Sequence, residues 1–120
     1  MKDKITLGLE GENLVAQYLK DKGFEIIDKN YRTKYGEIDI IARNNDLISF
    51  VEVKLRQNPK FYLSDLISLS KQNKIIRTAL NYTMVKGLSN YILRFDVALV
   101  EVFNDTVNIN YIENAFTKLD

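Results

Sequence analysis

The stretch YGEIDIIARNNDLISFVEVKLR, residues 35–56, decides the fold because it contains two β-rich runs joined by the turn-forming residues Asn-Asn-Asp. Both runs are apolar on both faces, as expected of strands that are covered by other layers. Each run nevertheless carries charged residues, Glu37 and Asp39 in the first and Glu52 and Lys54 in the second. Burying an unpaired charge is costly, so these four side chains require a structural or a chemical explanation.

The length of the turn determines whether these charges meet on one face of the sheet. Residues two apart in a strand share a face, so the two acidic residues of the first run lie together, as do Glu52 and Lys54. A two-residue turn at 44–45 and a four-residue loop at 44–47 both place the two pairs on one face, whereas a three-residue loop separates them. Asn-Asn is an acceptable two-residue turn, so the sequence favours the clustered arrangement.

The composition limits the chemistry that such a cluster could perform. The chain has 120 residues, 46% of them hydrophobic and 28% charged, which predicts one globular domain over residues 1–120. The absence of histidine and cysteine excludes nucleophilic catalysis that depends on them, and also the usual zinc sites. Oxygen ligands remain, and these favour Mg²⁺ or Mn²⁺. The formal net charge of +1 does not itself indicate a nucleic-acid partner, which would need a local basic surface.

The hydropathy pattern and the N-terminal residues predict where the protein acts. No apolar run approaches the roughly 20 residues that a membrane helix needs. The first residues, MKDKITLGLEGENL, lack the apolar segment of a secretory signal. The absence of cysteine agrees with a reducing compartment. We therefore expect a cytoplasmic protein that has no contact with a membrane.

The remaining segments predict two helices around a central sheet. The first helix spans 5–22, ends before Gly23, and carries an inward stripe of Gly8, Glu12, Val15, Ala16 and Leu19, with Gly8 and Gly11 allowing close approach to the sheet. The second helix spans 70–86, ends before Gly87, has Ser70 as its N-cap, and carries a stripe of Ile75, Ile76, Ala79, Leu80 and Thr83.

Five strands complete the prediction. Three of them form an antiparallel meander between the helices, and a closing hairpin turned at Asn104 and Asp105 follows the second helix. The order is α-β-β-β-α-β-β, a mixed α/β domain whose helices cover the sheet. Residues 57–69, which include the only proline, are interpreted as a loop with about one turn of helix.

The clustered charges have two interpretations. Three carboxylates repel one another unless a cation intervenes, and Asp39 with Glu52 is a suitable ligand pair for Mg²⁺. Lys54 would then lie beside the metal, where it could stabilise a developing oxyanion or orient a water. The backbone carbonyl of Val53 could supply a further ligand. Glu12 adds to this interpretation because it lies in the apolar stripe and should face the sheet. The alternative is a buried Glu52–Lys54 ion pair with a structural Asp39.

Five motifs, in this order and spacing, resemble the YraN-like family of small bacterial proteins. They are GLEGENLVAQYL, GFEIIDKNYR, GEIDIIAR, FVEVKLR and RFDVA, and they extend from about Leu7 to Val100. The family is similar to the PD-(D/E)xK restriction-endonuclease-like nucleases, especially the archaeal Holliday-junction resolvases. The resemblance implies a three-layer α-β-α fold and a Mg²⁺- or Mn²⁺-dependent endonuclease whose partner is DNA, including branched or flapped DNA. A nuclease of this size often needs two copies to cut two strands, so a homodimer is compatible with it.

The resemblance also implies catalytic roles for four residues. Glu12 matches the helix-borne carboxylate and would help to ligate the metal or a bound water. Asp39 matches the aspartate, and Glu52 with Lys54 matches the E-x-K motif. The proline of the motif's name is replaced by Ile38, and the segment KFYLSDLIS departs from the glycine-containing stretch of relatives. The rival hypotheses are a nucleic-acid-binding or scaffold protein without turnover and a purely structural interaction module.

The remaining candidates surround these residues. Glu37 is either a supporting carboxylate or the partner of a basic residue, and Gln72 could reach the site from the second helix. Five basic residues could contact DNA phosphates, although a solvated helix face is the ordinary alternative: Arg56, Lys60, Lys71, Lys74 and Arg77. Asp96 is interpreted as a structural residue at a strand end.

Overall fold

The computed structural model describes residues 4–56, 67–104 and 106–117, which form two helices and one five-stranded sheet. The elements in chain order are α1 (Lys4–Asp21), β1 (Glu25–Thr33), β2 (Gly36–Asn44), β3 (Leu47–Arg56), α2 (Leu69–Val85), β4 (Ile92–Phe103) and β5 (Thr106–Phe116). This order confirms the predicted α-β-β-β-α-β-β arrangement. Residues 57–66 of the predicted loop lie outside the described residues.

The strands lie in the sheet in the order in which they occur in the chain. The pairs β1–β2, β2–β3 and β4–β5 are antiparallel, which confirms the meander and the closing hairpin. The pair β3–β4 is parallel, from Leu47↔Ile92 to Arg56↔Glu101. A parallel pair requires a long crossover connection, and α2 lies within it. The result is a mixed sheet whose central strand, β3, is paired on both sides.

The two helices cover opposite faces of the sheet. Val15, Ala16 and Leu19 of α1 pack in one buried cluster that includes Val51 of β3. Ile75, Ile76 and Ala79 of α2 pack in a second cluster that includes Phe50, the residue before Val51. Consecutive strand residues point to opposite faces, so the sheet is enclosed between the helices. The predicted α-β-α layering is therefore confirmed.

Helix α2 begins and packs slightly differently from the prediction. Its N-cap is Ser68 rather than Ser70, because the Ser68 hydroxyl accepts a hydrogen bond from the Lys71 amide at 3.2 Å. Leu80 was expected in the buried stripe, but it is 38% exposed, and Thr78 and Tyr82 are buried instead. The inward face is thus centred on the side that carries Thr78 and Tyr82, and Leu80 lies at its edge.

The first turns of α1 approach the sheet at only one of the two predicted glycines. A Cβ atom at Gly11 would lie 3.3 Å from Cγ2 of Val100, so a side chain there would crowd β4. A Cβ atom at Gly8 would meet nothing within 4 Å, so the predicted close approach of the helix to the sheet at Gly8 was wrong.

Both helices end before a glycine, as predicted. Gly23 and Gly87 have φ of +94° and +69°, the left-handed conformation that is common after a helix. No helix within the described ranges is long and apolar enough to cross a membrane.

Candidate active site

The β2–β3 hairpin has the register that brings its charged residues together. The turn residues are Asn45 and Asp46, because Asn44 pairs with Leu47. Asn45 has a φ of +55°, a conformation that asparagine tolerates in tight turns. The turn lies one residue later than the predicted 44–45 turn, and the register equals that of the alternative 44–47 loop. This register places Asp39 opposite Glu52.

The Asp39 carboxylate takes a hydrogen bond from β3 where the backbone pairing of β2 with β3 ends. The described pairs run from Asn44↔Leu47 to Ile40↔Val51. Beyond them, the backbone amide of Val53 donates to Oδ2 of Asp39 at 2.8 Å. The Asp39 side chain thus takes the place of the backbone acceptor that the Val53 amide would otherwise need. This hydrogen bond fixes the Asp39 carboxylate beside the Glu52-Val53-Lys54 segment.

Strand β2 changes its facing at Asp39. Ile38 and Ile40 are two residues apart and would ordinarily share a face, yet Ile38 packs in the α2 cluster and Ile40 in the α1 cluster. The neighbouring strand is also irregular there, because Asn30 has a φ of +52° and lies between the β1 partners of Ile38 and Ile40. The two strands therefore twist sharply around the Asp39 position.

Glu52 is buried against α2 and has a counter-ion. Its side chain is 5% exposed, and Oε1 lies 3.0 Å from Nζ of Lys71. The Lys71 ammonium is also close enough to Lys54, which shares the face of Glu52, to lower the pKa of Lys54. The sequence had offered a Glu52–Lys54 pair as the alternative to a metal site. The structure instead gives Glu52 an ion pair with Lys71.

Glu12 approaches the cluster from α1. Glu12 is half-buried and hydrogen bonds with the side chain of Asn30. The nearby Asp39 carboxylate raises the pKa of Glu12. The prediction that Glu12 faces the sheet is confirmed. However, α1 covers the face opposite to Glu52, so the two glutamates meet only at the cleft where β2 and β3 separate.

The carboxylates line one cleft between the start of α1 and the separating strands. Its volume is about 230 Å³. The lining includes the carboxylates of Glu12, Glu37, Asp39 and Glu52, together with Val53, Leu55 and Val100 of the sheet and Leu7, Gly8 and Gly11 of α1. Because Gly8 and Gly11 have no side chains, the α1 wall of the cleft is formed there by backbone alone.

Burial and mutual repulsion shift the titration of the cluster. Burial raises the pKa of Glu12, Asp39 and Glu52, and a neighbouring carboxylate raises it further in each case, Asp39 for the two glutamates and Glu37 for Asp39. The Val53 amide and Lys71 oppose these shifts only partly. Burial and the nearby Lys71 ammonium lower the pKa of Lys54. The site therefore holds more negative charge than its own cations stabilise.

The acidic side chains of the cleft could hold a hard divalent cation through two carboxylates, but not through three. No three of the described acidic side chains are close enough together to hold one ion. Mg²⁺ is commonly held by one or two carboxylates, with waters and substrate oxygens completing the shell. Asp39 and Glu52 fit that requirement. The amide of Val53 contacts Asp39, and the role of its carbonyl as a further ligand stays a prediction.

The free energy of unfolding should depend on pH through Asp39. A carboxylate whose folded pKa is raised binds more protons in the folded than in the unfolded state, so its contribution to stability is lost as the pH rises through the folded value. In EDTA, we expect Asp39→Asn to gain stability relative to wild type as the pH rises from about 4 to 7. Urea unfolding across this range measures the difference. The exposed Asp46→Asn serves as control, and a wild-type–Asp39→Asn difference independent of pH would contradict the expectation.

Two residues predicted near the site have other partners. Glu37 accepts a hydrogen bond from Nε of Arg32 at 2.8 Å, which is one of its two predicted roles. It also lines the cleft and raises the pKa of Asp39, so its role as a supporting carboxylate stays a prediction. Gln72 donates from Nε2 to the carbonyl of Ile67 at 3.1 Å. This contact ties the first turn of α2 to the residue that precedes its cap, and it leaves Gln72 supporting the helix start.

The five predicted phosphate contacts divide into three groups. Arg56 is paired with Glu101 at 2.7 Å, Lys71 is paired with Glu52, and Lys60 lies outside the described residues. Lys74 and Arg77 are exposed on α2, and the Arg77 guanidinium lies 5.2 Å from the centre of the Tyr35 ring. Lys34, which the sequence did not single out, lies 5.3 Å from the same ring. We call Lys34, Lys74 and Arg77 the basic ridge.

Asp96 is structural, but it is not at a strand end. It lies within β4, at a register shift between Phe95 and Val97, and it is fully buried. The Arg94 guanidinium donates to both carboxylate oxygens of Asp96. The Tyr111 hydroxyl donates to Oδ2 at 2.6 Å, and the backbone amide of Asn114 donates to Oδ1 at 2.9 Å. These bonds fasten β5 to β4 on the side of the sheet away from β2.

Comparison with known proteins gives the family. The model described as "Uncharacterised protein family UPF0102" matches residues 11–100, a segment that contains the four predicted catalytic residues and Lys71. The chain belongs to the UPF0102 family. Membership of UPF0102 confirms the resemblance to YraN-like proteins that the motifs indicated.

Relatives within UPF0102 match nearly the whole chain. A UPF0102 protein of Alkaliphilus metalliredigens is 46% identical over 112 residues, covering 92% of this chain and 97% of its own. The UPF0102 proteins of Clostridioides difficile and Syntrophus aciditrophicus are 49% identical over 107 residues and 41% identical over 117 residues. They cover 88% and 97% of this chain, and the match spans 92% of each relative. The sequence matches therefore span nearly the whole length of these relatives.

Proposed function

We propose that this UPF0102 chain is a Mg²⁺- or Mn²⁺-dependent endonuclease that hydrolyses phosphodiester bonds in DNA. The observation that carries the proposal is the hydrogen bond from the Val53 amide to Asp39. This bond holds Asp39 beside Glu52 and Lys54, at the point where β2 separates from β3 and the cleft begins. The resemblance to PD-(D/E)xK nucleases supports the same residues and DNA as the substrate, and it is compatible with a homodimer. We also propose a cytoplasmic location, with which the absence of cysteine agrees.

Each residue has a role that its surroundings favour. Asp39 and Glu52 would hold the cation, which supplies charge neutralisation at the phosphate and activation of the attacking water. Lys54, whose pKa is lowered by burial, would position that water and donate a hydrogen bond to the scissile phosphate. Glu12, held by Asn30, would orient water at the α1 side of the cleft.

The size of the cleft favours a polymer over an enclosed small molecule. Ligand pockets for small molecules usually have volumes of roughly 300–1,000 Å³. This cleft has about 230 Å³, and four of its ten described lining residues are acidic. It can admit a phosphate group with associated water while the rest of the substrate remains outside. A nucleic-acid backbone presents phosphates in this way.

The basic ridge provides a surface on which that backbone could lie. Lys74 packs against the start of β2, since its Cβ would lie 3.4 Å from a Cβ at Gly36, three residues before Asp39. Arg77 follows one turn later on α2, and Lys34 precedes Gly36 in the β1–β2 turn. These cations lie on the surface near the acidic cleft. They supply the local positive charge that the chain's overall balance does not.

Removing the two α2 cations of the basic ridge should weaken DNA binding and reduce its dependence on salt. We expect Lys74→Ala with Arg77→Ala to lower the affinity for DNA and to reduce the slope of log K against log salt by about 2, because each phosphate contact releases a counter-ion. Fluorescence anisotropy at several salt concentrations measures the slope. Lys20→Ala, an exposed lysine on α1, is the control. A slope unchanged by the double substitution would remove the ridge from the proposed interface.

A second candidate, a nucleic-acid-binding or scaffold protein without turnover, is favoured by one observation. Glu52 already has a counter-ion in Lys71, so the cluster can persist without a metal. A structural module would go further, and Glu52→Ala would then be neutral or stabilising. The raised pKa values of Glu12, Asp39 and Glu52 count against both, because a purely structural site would gain nothing from bringing three carboxylates together in a partly buried cleft.

Cleavage assays separate these functions. Labelled linear, flapped and four-way-junction DNA would be incubated with the chain in Mn²⁺, Mg²⁺ or EDTA, beside Asp39→Ala and Lys54→Ala. The proposal expects metal-dependent cleavage of at least one substrate and its loss in both variants. Cleavage that survives both substitutions would refute the assigned site, and binding without cleavage under every metal would favour the scaffold.

A further inference from the structure

The ion pair of Lys71 with Glu52 occupies an oxygen that the proposed cation would need. Nζ of Lys71 lies 3.0 Å from Oε1 of Glu52, a carboxylate that is 95% removed from solvent, its side chain being 5% exposed. Asp39 also senses the Lys71 charge. The ammonium is thus paired with Glu52 and lowers the pKa of Asp39 through its charge, so it acts on both carboxylates to which the proposed function assigns the cation. Two cations on one carboxylate oxygen would repel strongly in a partly buried site.

The form of this pair differs from that of the permanent ion pair in the same sheet. Arg94 contacts Asp96 through two nitrogen atoms, and Asp96 is fully buried with further bonds from Tyr111 and Asn114. Lys71 makes a single contact with Glu52 and its own side chain is 39% exposed. A lysine ammonium on a flexible stem can leave for solvent without breaking other bonds, whereas a bidentate guanidinium is fixed by its geometry. The Lys71 pair is therefore the exchangeable one.

The backbone holds Lys71 in place for this exchange. The Ser68 hydroxyl accepts a hydrogen bond from the Lys71 amide, so Lys71 lies in the capped first turn of α2. It precedes the buried Ile75 by four residues and the buried Thr78 by seven, which directs it toward the sheet. The neighbouring Lys54 has the same charge, and the Lys71 charge lowers the pKa of Lys54, so repulsion from Lys54 favours the departure of Lys71 from the site.

We propose that Lys71 is the resident cation of the carboxylate site, bound to Glu52 until a divalent cation takes its place. The inference rests on the proposed function, because it requires Asp39 and Glu52 to bind a divalent cation. It adds that binding is an exchange of cations within a preformed site. Lys71 then acts as a positioning residue that keeps Glu52 ionised and in place, and its charge opposes the incoming cation.

The exchange predicts that removing the Lys71 charge tightens metal binding. We expect Lys71→Met to bind Mn²⁺ about tenfold more tightly than wild type, measured by isothermal titration calorimetry after dialysis against EDTA and then chelator-free buffer, a change that corresponds to about 1.4 kcal/mol. Lys71→Arg keeps the charge and can bind Glu52 in a bidentate manner, so it should bind Mn²⁺ more weakly than wild type. Lys20→Met removes an exposed lysine from α1 and should stay within about twofold of wild type.

Thermal unfolding gives an independent readout. In EDTA, Lys71→Met leaves the buried Glu52 carboxylate without its ammonium, so its Tm should fall below that of wild type. Saturating Mn²⁺ should then raise the Tm of Lys71→Met more than that of wild type, because a ligand that binds only the folded state stabilises it in proportion to its affinity. If Lys71→Met does not fold, weaker Mn²⁺ binding by Lys71→Arg still supports the exchange, and unchanged binding overturns it.

The outcomes distinguish this inference from the proposed function. Equal Mn²⁺ affinity in wild type and Lys71→Met, with loss of binding in Asp39→Asn, overturns the exchange and leaves the metal site intact. No Mn²⁺ binding by wild type or by Lys71→Met overturns the proposed function and the exchange together. Unchanged Mn²⁺ affinity with weakened DNA binding would return Lys71 to the role of a phosphate contact, as the sequence suggested.

Discussion

The Asp39→Asn variant is expected to cleave DNA about a hundred to a thousand times more slowly than wild type in saturating Mn²⁺, with its fold and DNA affinity retained. The amide oxygen of asparagine can still accept the hydrogen bond from the Val53 amide, so the junction of β2 with β3 should keep its geometry. The negative charge is lost, and with it an anionic ligand of the cation. Each factor of ten in rate corresponds to about 1.4 kcal/mol of transition-state stabilisation.

The variant also removes repulsion from the site. Asp39 raises the pKa of Glu12 and of Glu52, so replacing it with a neutral amide should not lower stability at neutral pH. Single-turnover cleavage with labelled DNA measures the rate, and anisotropy measures binding. Asp46→Asn, a change in the exposed β2–β3 turn, should cleave at the wild-type rate. A cleavage rate for Asp39→Asn within a few-fold of wild type would contradict the role assigned to Asp39.

The Asp96→Ala variant is expected to lose about 3–5 kcal/mol of unfolding free energy, because it leaves the Arg94 guanidinium without its buried counter-charge. It also removes the acceptor for the Tyr111 hydroxyl and for the Asn114 amide. Burial and the Asp96 carboxylate raise the pKa of Tyr111, so this hydroxyl stays protonated as a donor at neutral pH. Urea unfolding in EDTA measures the loss, since the metal site plays no part in it.

Two controls bound this prediction. Glu113 lies 3.7 Å from Arg94 with a side chain that is 68% exposed, so Glu113→Ala should change stability by at most about 1 kcal/mol. Tyr111→Phe removes one hydrogen bond and should cost less than Asp96→Ala, about 1–3 kcal/mol. An unfolding midpoint for Asp96→Ala equal to that of wild type would show that the cluster does not fasten β5 to β4.

The fold was predictable from the sequence to the level of elements and layers. Apolar runs, turn residues and glycines gave the seven elements in order, and the predicted ends of α1 differ from the observed ones by one residue. The start of α2 was placed too late because Ser68 and Ser70 are both acceptable caps, and only the observed hydrogen bond distinguishes them. Leu80 was misplaced because a helical stripe does not indicate which of its edges is covered.

The site was predictable where its residues lie on one hairpin. With a four-residue loop at 44–47, the residue numbers alone place Asp39 of β2 opposite Glu52 of β3, and this is the observed register. The partnership of Glu52 with Lys71 was not predicted because it depends on how α2 crosses from β3 to β4. A signal was present, since Lys71 precedes buried α2 positions by four and seven residues. Asn30 was missed because it lies inside a β-rich run, where the sequence predicted an ordinary strand residue.

The most direct test of the central claim is a crystal structure of the chain soaked in Mn²⁺ and recorded at a wavelength that gives anomalous signal from manganese. The account predicts an anomalous peak bonded to the carboxylates of Asp39 and Glu52, with the ammonium of Lys71 moved away from Glu52. An intact Lys71–Glu52 ion pair and no anomalous peak in the cleft at saturating Mn²⁺ would contradict it.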